Sequence, residues 1–508
     1  MPYPVIDVFA GPGGLGEGFA SFSSTGGAPS FKTALSIEKD ASAHRTLRLR
    51  SFFRQFELGY VPTEYWQYVK GEIDIEELFR LYPKQADASA NEAVCLRLGD
   101  ANYSQVKSLI SNRLDNSAKW VLVGGPPCQA YSLAGRSRMR NTKGFEDDER
   151  HFLYQEYLKI LADHAPPVFI MENVKGLLSA THSGERMIVN IISDLKNPGK
   201  ALNRRNRDAK YNLYSLCEDR PPEKCEPEDF IIKCEKFGIP QARHRLLILG
   251  IRTDIKVTPD VLSPQDSPSV HQIIGDLPKI RSTLSKEEDS LESWRKIIQL
   301  TQSQKWYVAG KANGLLRTTE IIDEAIDDMS ELKFSSGAEV MYFKGKPKIY
   351  TDWYRGDCPD VILNHTARGH MRTDLYRYLF ASSYAKANKR SPNLSHFPKA
   401  LLPDHKNIEG KIADVSFADR FRVQVMDRPS TTITSHISKD GHYFIHYDPT
   451  QCRSLTVREA ARLQTFPDSY KFEGNRTSQY HQVGNAVPPL LARQIAEIVY
   501  NVLRRIRF

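Results

Sequence analysis

VIDVFAGPGGLGEGF, residues 5–19, joins a short apolar run directly to a cluster of glycines. PVIDVF at 4–9 reads as a buried strand, and Gly11, Gly13, Gly14 and Gly16 mark a tight turn into a helix. GPGGLG at 11–16 satisfies the G-x-G-x-x-G pattern, in which bare backbone approaches a ligand closely. Glu38 lies 22 residues beyond Gly16, at the end of the next apolar run, where a carboxylate can accept both hydroxyls of a ribose. On these residues alone three readings stay open: a nicotinamide dinucleotide, S-adenosylmethionine, or a purely structural turn. Two neighbours favour S-adenosylmethionine. Asp7 sits in the strand before the loop, where it could pair with a ligand ammonium, and Pro12 takes up room that a pyrophosphate would need. Asp100, in LRLGDA after a third apolar run, reads as an adenine-amino acceptor or as a strand-end cap.

Outward from this stretch the same pattern repeats. KTALSIE (32–38), KWVLV (119–123), VFIM (168–171) and RLLILGI (245–251) are short, fully apolar runs separated by helical stretches. That is the signature of an α/β fold, a Rossmann-like and mostly parallel sheet with helices on both faces. Polar and glycine motifs follow the runs directly, at the carboxyl edge where open α/β sheets bind ligands. Aromatic residues at helical spacing (Phe52, Phe53, Phe56, Tyr65, Tyr68) predict a helical insertion over about 45–95. After residue 252 the alternation stops, and helical patterning returns with VREAARLQTF from Val457 and LLARQIAEIVYNVLRRI from Leu490. The expected organisation is a catalytic domain at 1–252, a smaller irregular domain at 253–450 with a basic, loop-rich stretch at about 380–427, and a segment at 451–508 that returns to the first domain.

Composition narrows the function classes. The chain has 508 residues, 70 Lys+Arg against 61 Asp+Glu for a net charge of +9, and 40% hydrophobic residues, enough for a large core. The mild positive excess suits a polyanionic partner. No run approaches the roughly 20 apolar residues that span a bilayer, and the expectation is a soluble cytoplasmic protein. Seven cysteines without a CxxC pair argue against a disulfide framework and a zinc ribbon, so no metal is expected.

Three motifs carry chemistry. VGGPPCQAYS (123–132) puts Cys128 after two prolines at a strand end, rigidly held at the ligand edge, and its thiolate would be a nucleophile. MENV (171–174) places Glu172 at the same edge, where a shielded carboxyl can keep its proton and act as an acid. QARHR (241–245) supplies Arg243 and Arg245 in alternation before a strand, so that both guanidiniums share a face. Arg136, Arg138, Arg140 and Lys143, in GRSRMRNTKGF after Cys128, suit phosphates.

Taken in order, these stretches resemble the DNA cytosine-5 methyltransferases. VIDVFAGPGGLGEGF, SIEKD (36–40), GD (99–100), GGPPCQAYS, MENV, FGIPQARHR (237–245), RSLTVREAARLQTFPD (453–468) and QVGNAVPP (482–489) follow the family's sequence of motifs. The resemblance implies that Cys128 is the nucleophile, Glu172 the acid for the cytosine ring nitrogen, and Arg243 and Arg245 the pair that orients the base. It implies a cofactor pocket for S-adenosylmethionine from Phe9, Gly11, Gly13, Gly14, Glu38, Asp100, Pro127, Leu153, Asn485 and Val487, with Asp7 added from the residue reading. Gln129 and Ser132 would face DNA. Double-stranded DNA is the expected substrate and the alternative is a tRNA substrate on the same fold. Within 380–427, His396, Lys399, His405, Lys406, Arg420 and Arg422 are the expected base-reading residues, and RPSTTIT (428–434) the anchor back to the catalytic domain. A monomer of the restriction–modification type, paired with a restriction endonuclease, is the expectation that follows from the family.

Overall fold

The computed structural model describes residues 1–507 apart from 25–26, 58, 128–152, 183–184, 204–208, 313, 332–333, 357 and 404–418. The chain forms two compact units. Residues 1–239, 243–266 and 486–508 make the first, and residues 240–242 and 267–485 the second.

The first unit is built on the predicted strands. In chain order its elements are β1 (Tyr3–Val8), α1 (Gly14–Ala20), β2 (Phe31–Glu38), α2 (Ala41–Phe53), α3 (Thr63–Lys70), α4 (Ile75–Leu81), α5 (Pro83–Glu92), β3 (Ala93–Cys95), α6 (Tyr103–Leu114), β4 (Val121–Gly124), α7 (Leu153–His164), β5 (Val168–Val174), α8 (Met187–Lys196), β6 (Tyr211–Tyr214), β7 (Ile231–Lys233) and β8 (His244–Arg252). The strands lie in the order β3-β2-β1-β4-β5-β8-β6, and β7 pairs with β8. Pairs from β3 through β5 are parallel. β8 runs antiparallel to β5, β6 and β7. The sheet is therefore mostly parallel and mixed at one side, as the uninterrupted apolar runs require of strands covered on both faces. Ile6, Val8, Leu35, Ile37, Leu122, Phe169, Met171, Leu246 and Ile248 enter one core with Val106, Ile110, Tyr157, Leu161 and Ile188 from the helices. The expected insertion is the four-helix run α2–α5.

The C-terminal helix (Pro489–Arg505) closes this unit against α1. Close backbone approach demands a residue without a Cβ here: a Cβ on Gly18 would stand 2.3 Å from Ala492 Cβ and 2.5 Å from Pro489 O.

The second unit is not irregular throughout. It holds helices α9 (Leu291–Gln299), α10 (Leu316–Glu331), α11 (Arg372–Asn388), α12 (Val457–Leu463) and α13 (Arg476–Asn485), and an antiparallel strand pair β9 (Gly337–Tyr342) with β10 (Val361–Thr366). Two expectations are corrected. Residues 380–388 belong to α11 rather than to a loop-rich stretch. That helix buries Leu375, Tyr378, Leu379, Phe380, Ala381, Ser382, Ser383 and Tyr384, so it shows no apolar stripe to read. The boundary at 450 also moves. Residues 451–485 pack in the second unit and 253–266 in the first. Buried arginines of α12 hold the former in place: Arg462 binds Asp468 and Asp276, and Arg458 donates to Leu363 O and Tyr470 O. Ser430–Thr431 of the expected anchor pairs with Gln241–Ala242, within this same unit.

Replacing Gly18 by Ala should cost the first unit about 1–3 kcal/mol through overpacking, because the new Cβ would meet Ala492 Cβ and the backbone of Pro489 and Arg493, none of them the end of a flexible side chain. Urea denaturation of wild type and Gly18→Ala measures it.

Candidate active site

Loop geometry starts at β1. Phe9 has φ 57°, Gly11 φ 57° and Gly13 φ 96°, so three left-handed residues fold the chain back before α1. Gly13 is the residue flanking the helix start and needs its freedom from a Cβ there. The loop is tied to β2 by the predicted acid. Gly11 N donates to Glu38 Oε2 at 2.8 Å, while Lys39 N and Asp40 N both donate to Oε1 at 2.8 Å. A carboxylate held by three amides is fixed in direction, and Oε2, with one amide, retains acceptor capacity. Gly14 faces Val487, whose carbonyl oxygen a Cβ would meet at 2.3 Å, so the structure brings Val487 to the loop. Asn485 belongs to the second unit.

Asp7 lies elsewhere than at the loop surface. It is fully buried, and its Oδ2 faces Gly16 of α1. Burial pushes its carboxyl up to about 7, with Glu38 adding to the rise and the Gly16 amide and Arg54 opposing it. An acid this far from water is a partner for α1 more readily than for a ligand ammonium.

Asp100 follows β3 in a short 3-10 turn, with its side chain 92% exposed, and it forms an ion pair with Lys159 of α7. The hydrogen bond from Lys159 holds its carboxyl below the usual range. Lys159 also reaches Glu156 Oε1 at 2.6 Å. Leu153 is the first residue of the same helix.

At the adjoining strand ends the catalytic candidates converge. Glu172 is near the end of β5 and its side chain is 12% exposed. Because β8 runs antiparallel, its beginning lies beside the end of β5, with Arg245 opposite Val174 and Leu247 opposite Glu172. Arg245 is thus the diagonal neighbour of Glu172 on one face, and its Nε stands 3.1 Å from Glu172 Oε1. Burial raises the Glu172 carboxyl, and Arg245 and then Arg243 pull it down. Arg243 is 1% exposed, and burial lowers its guanidinium to about 9. Cys234 lies fully buried in the same electrostatic surroundings, and burial pushes its thiol up to about 12, which leaves it inert.

The Gly-Gly-Pro-Pro segment reaches Glu172. A Cβ on Gly125 would meet Glu172 Oε2 at 2.9 Å, and Asn173 Nδ2 donates to Pro126 O at 3.3 Å. Gly125 and Asn173 are positioning residues that the sequence did not single out. The alternating pattern of MENV was the available signal, since Asn173 must point away from Glu172. Pro127 is half-buried at the end of the described segment. Cys128, Gln129, Ser132, Arg136, Arg138, Arg140 and Lys143 lie outside the described residues, as do His405 and Lys406. In the second unit Arg422 pairs with Asp419, with its guanidinium 5.7 Å from the centre of the Tyr443 ring, and Arg420 is half-buried. Among the described residues no cluster of His, Cys, Asp or Glu suits a metal, and no helix is long and apolar enough to cross a membrane.

The family model for C-5 cytosine-specific DNA methylase matches residues 85–501. The chain belongs to this family. It is an enzyme, a methyltransferase of DNA cytosine at carbon 5. It is 31% identical to type II methyltransferase M.Bpa9945I of Bacillus paralicheniformis, over 98% of this chain and 99% of that protein. Type II methyltransferase M.AgeI of Thalassovita gelatinovora is 25% identical over 97% and 98% of the two chains. DNA (cytosine-5-)-methyltransferase M.ApeKI of Aeropyrum pernix is 26% identical over 75% and 81%. The methylase family and the mostly parallel sheet imply S-adenosylmethionine as methyl donor.

Asp7 supplies a pH test. Its folded value of about 7 stands above its ordinary 3.8, so the stability it confers is complete below about pH 4 and is lost as pH rises through 7. Asp7→Asn should flatten that decline and leave the variant the more stable protein at pH 8. Denaturant unfolding at pH 4, 6 and 8 measures it.

Proposed function

We propose that this methyltransferase acts on a cytosine flipped out of duplex DNA, through a covalent adduct with Cys128, as the modification partner of a restriction endonuclease. The observation that carries the reading is the Glu172 site. A shielded carboxyl stands 3.1 Å from Arg245 and in contact with Gly125, three residues before Cys128. Burial favours its protonated form, and the arginines keep the proton from being held too tightly to give away.

Carbon 5 of cytosine is a weak nucleophile. In this reading the Cys128 thiolate adds to carbon 6 while Glu172 gives a proton to the adjacent ring nitrogen, and carbon 5 becomes enamine-like. Bound S-adenosylmethionine supplies an electrophilic methyl group. Carbon 5 would take up the methyl as its bond to the sulfonium breaks and a neutral thioether leaves; the carbon-5 proton would then pass to a base, the thiolate would depart from carbon 6, and the ring nitrogen would return its proton to Glu172, which restores the ring. Arg245 and Arg243 orient the base and Glu172. The donor set of the glycine loop fits the cofactor. Glu38 is aimed by three amides with acceptor capacity left for ribose hydroxyls, a Cβ on Gly11 would meet nothing within 4 Å, and Asp100 offers an exposed carboxylate to an adenine amino group. Phe9, Gly11, Gly13, Gly14, Pro127, Leu153 and Val487 complete the proposed pocket. Thiol and methyl must approach the ring along fixed directions that a stacked base denies, so the base is extruded at a cost of a few kcal/mol. Gln129, Ser132, Arg136, Arg138, Arg420 and Arg422 are assigned to DNA contacts that offset this cost.

Cys128→Ala should abolish methyl transfer to duplex DNA while DNA and S-adenosylmethionine still bind. Glu172→Gln should lower kcat by about 10²–10⁴ with the KM values little changed. Radiolabelled methyl transfer to duplex DNA and to tRNA, with filter binding, reads both. A Cys128→Ala enzyme with normal turnover, or transfer to tRNA alone, overturns the reading. Bisulfite sequencing of DNA from expressing cells gives the target sequence.

A further inference from the structure

We propose that the insertion between β2 and β3 is a brace for the glycine loop, in which Arg50 and Arg54 are positioning residues that set the affinity for the cofactor. The inference rests on the reading of that loop as the S-adenosylmethionine site.

Glu17 stands on α1 and is 3% exposed. Arg50 of α2 grips its carboxylate with both arms of the guanidinium, Nε to Oε2 at 2.9 Å and Nη2 to Oε1 at 2.5 Å. One turn further along α2, Arg54 donates to Glu17 Oε2 at 3.1 Å and to Glu92 Oε1 of α5 at 2.5 Å. Two acids and two guanidiniums thus link α1, α2 and α5 in a chain with balanced charge. The two cations hold the Glu17 carboxyl below its ordinary range despite complete burial.

The brace itself is stiff. Phe52 packs on Phe56 and Phe79 at 5.3 and 5.2 Å between ring centres, Phe53 on Tyr65 at 5.2 Å, and Phe56 on Tyr82 at 5.4 Å. The Arg50 guanidinium lies 4.3 Å from the centre of the Phe53 ring, so this aromatic cluster also aims the residue that holds Glu17.

The same insertion touches the loop a second time. α2 starts at Ala41, capped by Asp40, and the amides of Lys39 and Asp40 aim the Glu38 carboxylate that binds Gly11 N. On its other side α1 is pressed against the C-terminal helix, with no space for a Cβ at Gly18. α1 therefore sits between two supports. The helix-backbone contact limits how close it can come. The bidentate ion pair fixes its height and rotation, because a planar fork on a carboxylate has one good geometry. An apolar contact would supply stability without that direction. Nothing in the chemistry of Cys128 and Glu172 requires the network, so its removal should act on cofactor binding and not on the methyl-transfer step.

The experiment is steady-state kinetics on the full chain, with S-adenosylmethionine varied, for Arg50→Met, Arg54→Met and the charge-neutral double variant Glu17→Gln/Arg50→Met. Thermal melts accompany it. The expected result is a rise in KM for S-adenosylmethionine of about tenfold in Arg50→Met and in the double variant, with a smaller rise in Arg54→Met and kcat within about twofold of wild type. A merely structural role would lower the active fraction and so apparent kcat, with KM intact, and that result overturns the proposal. The double variant leaves no unpaired buried charge at Glu17, so it tests the idea if Arg50→Met does not fold. Failure of all three variants to fold would make the network a stability element and overturn it too. Calorimetric titration of wild type with S-adenosylmethionine separates the two readings: absence of binding there sinks the cofactor assignment itself, whatever the variants do.

Discussion

In the proposed mechanism Glu172 donates a proton near neutral pH, which asks for a carboxyl kept from water without being left alone, and its contact with Arg245 suits that role. Desolvation at the end of β5 raises the acid, and a guanidinium 3.1 Å away offsets part of the rise. Either effect alone would spoil the group. Unrelieved burial would lock the proton in place, and a fully exposed ion pair would strip it off. The balance depends on a backbone feature, the antiparallel course of β8 beside β5, which carries the start of one strand to the end of the other.

That feature organises the neighbourhood. A Cβ on Gly125 would meet the Glu172 carboxylate, and Asn173 uses its amide to hold Pro126. The strand end that carries the acid is thus tied to the Gly-Gly-Pro-Pro segment. Arg243 and Cys234 are both buried near it, and burial depresses the guanidinium and silences the thiol. On the other half of the sheet the glycine loop has its own supports: Glu38 above, α1 and its ion-pair network to the side, and the C-terminal helix behind. The two halves are built from different elements, which is why the proposal expects donor binding and base activation to respond separately to substitution.

Much of this was legible in the residues. The apolar runs gave five sheet strands, with every end but that of β5 within two residues, because strands buried on both faces read as short uninterrupted apolar runs. GPGGLG with Glu38, the Gly-Gly-Pro-Pro segment, ENV and RHR marked the first unit because each sits directly at a strand end. The second unit was less transparent. α11 is buried on nearly all sides and so hides its period, and the crossing back to the first unit falls at Ala486 rather than near 450 because the arginines of α12 are satisfied by partners within the second unit.

Sequence by itself determined the fold class, the family, and which acid, arginines and loop belong together, since local chemistry at strand ends is written in contiguous residues. Tertiary structure alone decided the rest: that Asp7 is interred beneath α1, that Asp100 is paired with Lys159, and that Arg50 and Arg54 of an insertion hold the glycine helix through Glu17. The ion pairs among them join residues 33 to 59 positions apart, whose pairing leaves no mark on either partner's local pattern. An arginine that will be buried against a glutamate reads, in the chain, like one that will face water.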